Sequence, residues 1–321
     1  MPLYLRGSMQ VHSHIHDLPP FRNAVITIGT FDGVHKGHQQ IISALREQAE
    51  KVAGESVLIT FMPHPRKLLQ PETSLELINT LDEKIELLRS KGIDHLVVVD
   101  FTKSFAALTG EEYIEHFLVK QFKPQTIIIG YDHHFGSNRS GNFELLQKRK
   151  SDFGYELIEI PKHVLDEISV SSTSIRQALK EGNIKKAVNL LGYPFSFEGI
   201  VVHGDKLGRQ LGYPTANLQY KEADKIHLGE GVYAVWVKVA GEMKGGMLSI
   251  GKRPTLNDTV ERVEVNIFDF DSDIYDQEVV VIPVAYLRAQ EKYDTLEKLT
   301  IQLGEDKIQS LAILETNPAS F

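Results

Sequence analysis

Gly29-Thr30-Phe31-Asp32-Gly33-Val34-His35-Lys36-Gly37-His38 is the stretch whose reading decides the fold. An apolar run, Ala24-Val25-Ile26-Thr27-Ile28, leads into it. A helical pattern over Gln39–Lys51, with Ile41, Ile42, Leu45 and Ala49 as its apolar residues, leads out. The order is strand, glycine-rich turn, helix N-terminus. Such a terminus carries unpaired N–H groups and the positive end of the peptide dipole, which suits it to phosphate. Glycines at 29, 33 and 37 allow the backbone to approach closely and to take positive φ. His35 and His38, three residues apart, can face one anion. Two histidines near a turn would alone read as ordinary surface residues; the strand before and the helix after reverse that reading.

Working outward, strand and helix patterns alternate from Met9 to about Gly154, with the residues before Met9 read as an added leader. Strands are expected at Ala24–Gly29, Val57–Phe61, Leu96–Phe101, Thr126–Gly130 and Tyr155–Ile160, and helices at Gln39–Lys51, Leu81–Lys91 and Gly110–Gln121. Near-continuous Val/Ile runs imply a parallel sheet covered on both faces, hence a doubly wound α/β domain with its ligand at the carboxyl ends of the strands. Four loops follow strands there: 29–38, 61–66, 130–141 and 168–176. Pro63 and Pro65 stiffen the second, so Phe61 and His64 form either a pocket wall or a plain rigid turn. The third carries Asp132, His133, His134, Phe135 and Arg139, suited to a ring and a phosphate; its adjacent histidines diverge and lack a carboxylate pair, so no metal is expected there. The fourth sets Ser171, Ser172, Thr173 and Ser174 at a helix start with Arg176 one turn in, a candidate triphosphate clamp, although capping explains one or two of these. His12, His14 and His16 read as surface residues of a polar tail.

Two short helices, Ser174–Lys180 and Ile184–Leu191, precede Gly192-Tyr193-Pro194, where the pattern changes. The domains are therefore placed at 9–193 and 194–321. The second shows short strands at Phe197–His203, Val232–Val239, Met243–Ile250, Val260–Phe268 and Glu278–Tyr286, with a hairpin turn at Gly241-Glu242, and reads as a small closed β-barrel. A closing helix, Thr295–Leu314, is expected to bury a stripe of Leu296, Leu299, Leu303, Ile308, Leu311 and Ile313. Gly204 to Asn217 is glycine-rich without matching a Walker A loop or a G-x-G-x-x-G turn. Its glycines could cradle phosphate, and Thr215 and Asn217 offer neutral oxygens suited to Mg²⁺ shared with a nucleotide; a simple turn between strands would look similar. Glu264, inside an apolar strand, is a general base if it points into the barrel mouth and a solvated carboxylate if it points outward.

At 321 residues two domains are expected. Lys plus Arg number 35 against 43 Asp plus Glu, and the net charge of −8 argues against general nucleic-acid binding while leaving room for a nucleotide. Zero cysteines exclude disulfides and thiolate metal sites, and fit a cytoplasmic location. No secretory h-region is read at the N-terminus, and runs such as Val279–Leu287 are too short to cross a bilayer. The H-x-G-H turn suits nucleotidyl transfer, in which a phosphate attacks the α-phosphorus of ATP and charge builds where two imidazoles and helix N–H groups can meet it.

In order along both domains, G-T-F-D-G-V-H-K-G-H, T-F-M-P-H-P, I-G-Y-D-H-H-F-G, S-S-T-S-I-R, G-Y-P-T-A-N, I-G-K-R-P-T and V-E-V-N-I-F-D-F-D-S-D-I-Y resemble the bacterial bifunctional riboflavin kinase/FMN adenylyltransferase family, the FAD synthetases. The resemblance runs from about Val25 to Gln309. It implies a Rossmann-like nucleotidyltransferase domain and a barrel kinase domain. The barrel would phosphorylate riboflavin with ATP and Mg²⁺, and the first domain would join AMP from a second ATP to FMN. It gives His35, His38, Ser172, Thr173 and Arg176 to the ATP phosphates, with Gly29, Phe31 and Asp132 completing that site. Phe61, His64 and Phe135 fall to the flavin. Gly204, Lys206, Gly208, Thr215 and Asn217 fall to the kinase nucleotide, Thr215 and Asn217 also to its metal, and Glu264 to the base. Two departures stand out: His134 where many relatives have arginine, and Asp276 where many have glycine. The rival readings are an adenylyltransferase for another phosphate acceptor with a regulatory barrel, and a non-enzymatic nucleotide- or flavin-binding module.

Overall fold

Apolar runs buried from end to end are what a sheet covered on both faces requires, and the computed structural model builds one from them. It describes residues 9–161, 170–204, 207–252 and 261–319. The chain forms two compact units, Met1–Ser171 and Ser172–Phe321.

In the first unit six strands, β1 (Gln10–His12), β2 (Val25–Ile28), β3 (Ser56–Met62), β4 (His95–Asp100), β5 (Thr126–Gly130) and β6 (Glu156–Ile160), pair all-parallel in the order β1-β4-β3-β2-β5-β6. Alternate side chains go to opposite faces. Val25, Leu58 and Val98 join the core under α1 (Lys36–Lys51), while Ile26, Ile59 and Val99 join the core that includes Phe117 and Leu146. Along the chain come α2 (Pro65–Leu69), α3 (Leu81–Ser90), α4 (Lys103–Ala106), a helix over residues 110–122 that winds as a π-helix through Tyr113–Val119 and is numbered α5, and α6 (Phe143–Phe153). Thr80 and Thr109 start α3 and α5 with capping boxes to Glu83 and Glu112. From β2 the chain steps outward through β3 to β4, then crosses to β5 on the other side of β2. The topological switch point therefore lies between β2 and β5, whose C-terminal loops are 29–38 and 131–141. The sequence pattern did not show β1, a three-residue edge strand, or α6, of which only Leu146 is buried.

In the second unit, helices α7 (Ser172–Lys180) and α8 (Ile184–Leu191) pack with the strands that follow them. The Leu179 carbonyl accepts from the Gly229 N–H at 3.1 Å. A Cβ on Gly182 would come within 2.6 Å of the Tyr286 ring. Compactness thus groups these helices with the barrel, ahead of the composition change near Tyr193. The strands β7 (Phe197–Val202), β8 (Ala216–Tyr220), β9 (Gly231–Val239), β10 (Glu242–Lys252), β11 (Glu261–Ile267) and β12 (Glu278–Arg288) close in the order β10-β11-β8-β7-β12-β9. The β9–β10 turn is Ala240-Gly241, both with positive φ, one residue earlier than the pattern suggested. A short helix, α9 (Leu207–Gln210), precedes β8.

The closing helix, α10 (Leu296–Thr316), does not bury the expected stripe. Leu296 and Ile308 are 68% and 71% exposed, and the buried positions are Asp306, Ser310 and Leu314. The reason is an ion pair with β12. The Arg288 guanidinium donates from Nε to Asp306 Oδ1 at 2.9 Å and from Nη2 to Oδ2 at 2.7 Å, with the Gln302 amide on Oδ1 at 3.1 Å. Leu314 packs with Met247 and Phe268 on the outside of the barrel.

Candidate functional site

The turn after β2 is held in an unusual shape. Phe31, Gly33 and Val34 all have positive φ, at 46°, 88° and 34°; for β-branched Val34 that backbone is strained. Asp32, buried, accepts from the N–H groups of Ile78 (2.9 Å) and Asn79 (3.4 Å). Gly29 leaves room for the Phe31 ring, whose edge would lie 3.1 Å from an added Cβ. His35 then caps α1, its Nδ1 accepting from His38 N–H at 3.3 Å, so that a neutral ring carries its proton on Nε2. The rings of His35 and His38 stack at 3.6 Å, with Phe31 at 5.0 Å from His38. Burial lowers the His35 pKa to about 4. It pushes His38 well below the usual imidazole value too, and a second proton beside His35 or near the Lys84 ammonium is further disfavoured. His38 Nδ1 is sealed from solvent with no hydrogen-bond partner in the described structure. The site is thus a pair of stacked neutral imidazoles at a helix N-terminus beside the switch point.

The sequence reading missed what lies beneath. Lys84 on α3 is 8% exposed, donates from Nζ to the Thr30 carbonyl at 2.8 Å and lies 3.5 Å from Thr60 Oγ1. The signal was present, because Lys84 falls at helical spacing among Leu81, Ile85 and Leu88.

Phe61 and Phe135 are both core residues, linked through rings rather than touching. Phe61 meets Phe105 at 5.7 Å, Phe105 meets Tyr113 at 5.6 Å, and Tyr113 meets Phe135 at 4.8 Å. His64 caps α2 by accepting from Arg66 N–H at 3.1 Å. In the loop after β5, Asp132 is exposed. His134 has the Arg139 guanidinium 3.0 Å from its Nδ1, so a positive charge reaches this point of the loop. His12 is not a free surface residue: its Nε2 lies 3.1 Å from His95 Nδ1 and its ring packs against Phe21. Ser172 and Thr173 begin α7 and Arg176 follows one turn in, all on the second unit.

The second unit gathers its own polar face. Strand register sets Glu264 opposite Asn217 on one side and Ser249 on the other. Val263 and Val265 take the buried face, so half-buried Glu264 faces outward. It is nevertheless no isolated solvated carboxylate, since Thr215 Oγ1 donates to Glu264 Oε2 at 3.5 Å. A Cβ on Gly204 would lie 2.0 Å from the Asn217 amide nitrogen. One on Gly208 would lie 2.3 Å from the Tyr213 carbonyl and 3.3 Å from Thr215 Oγ1. The glycines are needed for that close packing. Lys206 lies outside the described residues, as do Ser169 and Arg253-Pro254-Thr255. Asn266, one alternation along from Glu264, donates to the Pro214 carbonyl at 2.6 Å. Beside it opens a pocket of about 380 Å³ lined by Tyr213, Pro214, Phe268, Phe270 and Lys307 among others. The His203 and Tyr275 rings lie 4.0 Å apart at a tilt of 31°, and Asp276 has φ 61°, a left-handed backbone that favours glycine and that Asp can adopt.

Comparison with known proteins covers both units. Residues 19–174 match a family model described as FAD synthetase, and residues 191–314 one described as riboflavin kinase. The bifunctional riboflavin kinase/FMN adenylyltransferase of Escherichia coli K12 is 35% identical over 303 residues, covering 94% of this chain and 96% of that protein. That of Pseudomonas fluorescens is 36% identical over 307 residues, covering 95% and 98%. Among solved structures, a Streptococcus pneumoniae protein described as a macrolide-efflux protein is similar with a TM-score of 0.83 and 33% identity, covering 94% of this chain and 98% of that one. Among the described residues no helix is long and apolar enough to cross a membrane. With both halves matched in order and relatives matched nearly end to end, the chain belongs to the bifunctional riboflavin kinase/FMN adenylyltransferase family.

Proposed function

We propose that the second unit phosphorylates riboflavin with ATP to give FMN, and that the first transfers AMP from a second ATP to FMN, releasing pyrophosphate and FAD. The observation that carries this reading is the presence in one chain of two separate phosphate-directed sites, the His35/His38 turn and the Thr215/Asn217/Glu264 face.

In the first, an FMN phosphate oxygen attacks the α-phosphorus and pyrophosphate departs, with no covalent enzyme intermediate. His35 Nε2–H and the N–H groups opening α1 donate to the phosphate oxygens as charge builds there. His38 presses against His35 and turns a second ring edge to the same anion. Both rings are held neutral by burial, so neither must lose a proton first. Gly29, Phe31 and Asp132 border the nucleotide, and Phe61, His64 and Phe135 back the flavin.

In the second, Glu264 takes the proton of the riboflavin 5′-hydroxyl as its oxygen attacks the γ-phosphorus, and ADP leaves with the β,γ-bridging oxygen. Gly204 and Gly208 border the phosphates. The pocket beside Asn266 accepts the nucleotide base against Phe268 and Phe270, with Lys307 at its edge. The oxygens of Thr215 and Asn217 form a hard donor pair that fits Mg²⁺ and would hold it beside Glu264. Such an ion offsets phosphate charge during transfer. A cytoplasmic location supplies the ATP.

Incubation of the chain with riboflavin, ATP and Mg²⁺, followed by chromatography, should yield FMN, then FAD and pyrophosphate. FMN without FAD would remove the first-unit assignment, and no product would remove both in favour of a binding module.

A further inference from the structure

A lysine among Leu81, Ile85 and Leu88 on one helix stripe is an ammonium placed where a hydrocarbon would be expected, and burying it costs free energy unless it is used. Its shorter hydrogen bond is to the main chain of the phosphate turn: Nζ donates to the Thr30 carbonyl at 2.8 Å. Thr60 Oγ1 donates to the same oxygen at 3.1 Å and lies 3.5 Å from Nζ. Thr30 is the residue from which the left-handed backbone at Phe31, Gly33 and Val34 begins. The other end of that turn is gripped from the same neighbouring segment, through the N–H groups of Ile78 and Asn79 on Asp32. Residues 78–84 therefore clamp the underside of the turn whose far end presents His35 and His38.

We propose that Lys84 is a positioning residue for adenylyl transfer, its buried ammonium fixing the Thr30 carbonyl and so the turn that aims the two imidazoles. It does not touch substrate. It acts through the turn's geometry and as a fixed positive charge behind the imidazole pair. The groups facing it are Asp32 from the turn, Thr60 from β3 and His38 from α1, with His35 stacked beyond. Burial, opposed by the Asp32 carboxylate, lowers the Lys84 pKa to about 8. Its charge is thus present at neutral pH and is lost just above it.

This inference rests on the His35/His38 site being the adenylyl-transfer site, and the kinase activity of the same chain serves as an internal control for folding. Lys84→Met is compared with the parent for FAD formation from FMN and ATP between pH 6 and 9.5, with FMN formation from riboflavin measured in parallel. The parent's adenylyl transfer should fall above about pH 8. In the variant it should be about 10- to 100-fold lower at pH 7 in kcat, with that alkaline fall abolished and kinase activity within about twofold of the parent. An alkaline fall that persists in Lys84→Met, or a parent rate at pH 7, overturns the proposal. Should Lys84→Met lose both activities, Lys84→Gln, which keeps a donor near Thr30 without the charge, is read by the same two criteria. Parental FAD formation in His38→Ala would instead overturn the site assignment on which the proposal stands.

Discussion

Burial holds the imidazoles of His35, His38 and His133 neutral, and that has a sign. His35 and His133 titrate at about 4 in the folded chain, and His38 well below the usual value near 6.5. Between pH 6.5 and 4 the unfolded chain therefore binds protons that the folded chain refuses, and stability is fully present above 6.5 and lost as pH falls. Each such group contributes ~1.4 kcal/mol of loss per pH unit once below its unfolded pKa. Calorimetry at pH 7.0, 5.5 and 4.5 should show the transition of the first unit moving steadily down in temperature; an unchanged transition would contradict the burial account. Residues of this kind are only partly legible in sequence. His35 and His38 could be picked out because strand, glycine and helix frame them. Lys84 could have been found from its place on an apolar stripe. The contact of His12 with His95 could not, because it joins residues 83 apart in the chain through an edge strand too short to announce itself.

Elements with one apolar face were readable and elements held by polar contacts were not. The strands β2 to β6 were placed within a residue or so, since their cores are runs of Val, Ile and Leu even where single polar residues such as Thr60 are buried among them. α10 has apolar residues enough for a stripe, yet turns Asp306 inward to meet Arg288 and leaves Ile308 outside. Periodicity could not reveal this, because it scores Asp306 as a surface position. Strand β8 was hidden for a similar reason: it begins inside a glycine-proline stretch and carries Asn217 and Gln219 on its outer face. Asp306→Ala should leave a guanidinium unpaired at a largely buried contact and cost about 3–5 kcal/mol. Thermal unfolding of the second unit is the measurement, and a loss under ~1 kcal/mol would show that the pair does not hold α10.

At the scale of the molecule, the proposed function gives each unit its own phosphate-directed groups, by different means. The first uses a helix N-terminus and imidazoles at a switch point, a place that strand order alone determines once the sheet is known to be parallel. The second uses the outer face of a barrel, where register brings Asn217, Glu264 and Ser249 side by side although they are far apart in sequence. Alternation could not say which face of β11 was inside, so the outward direction of Glu264 had to come from the structure. The resemblance to the family named the residues; the packing shows why glycines stand at 204 and 208 and why Asp276 is tolerated. The central claim is that the two transfers are carried out by separate sites. It is tested most directly by chromatographing the products of His38→Ala and Glu264→Gln, each supplied once with riboflavin and once with FMN, with ATP and Mg²⁺ throughout. His38→Ala should accumulate FMN from riboflavin and make at least ~100-fold less FAD, while Glu264→Gln should make no FMN yet convert supplied FMN to FAD at the parent rate. Equal loss of both activities in either variant would contradict the division.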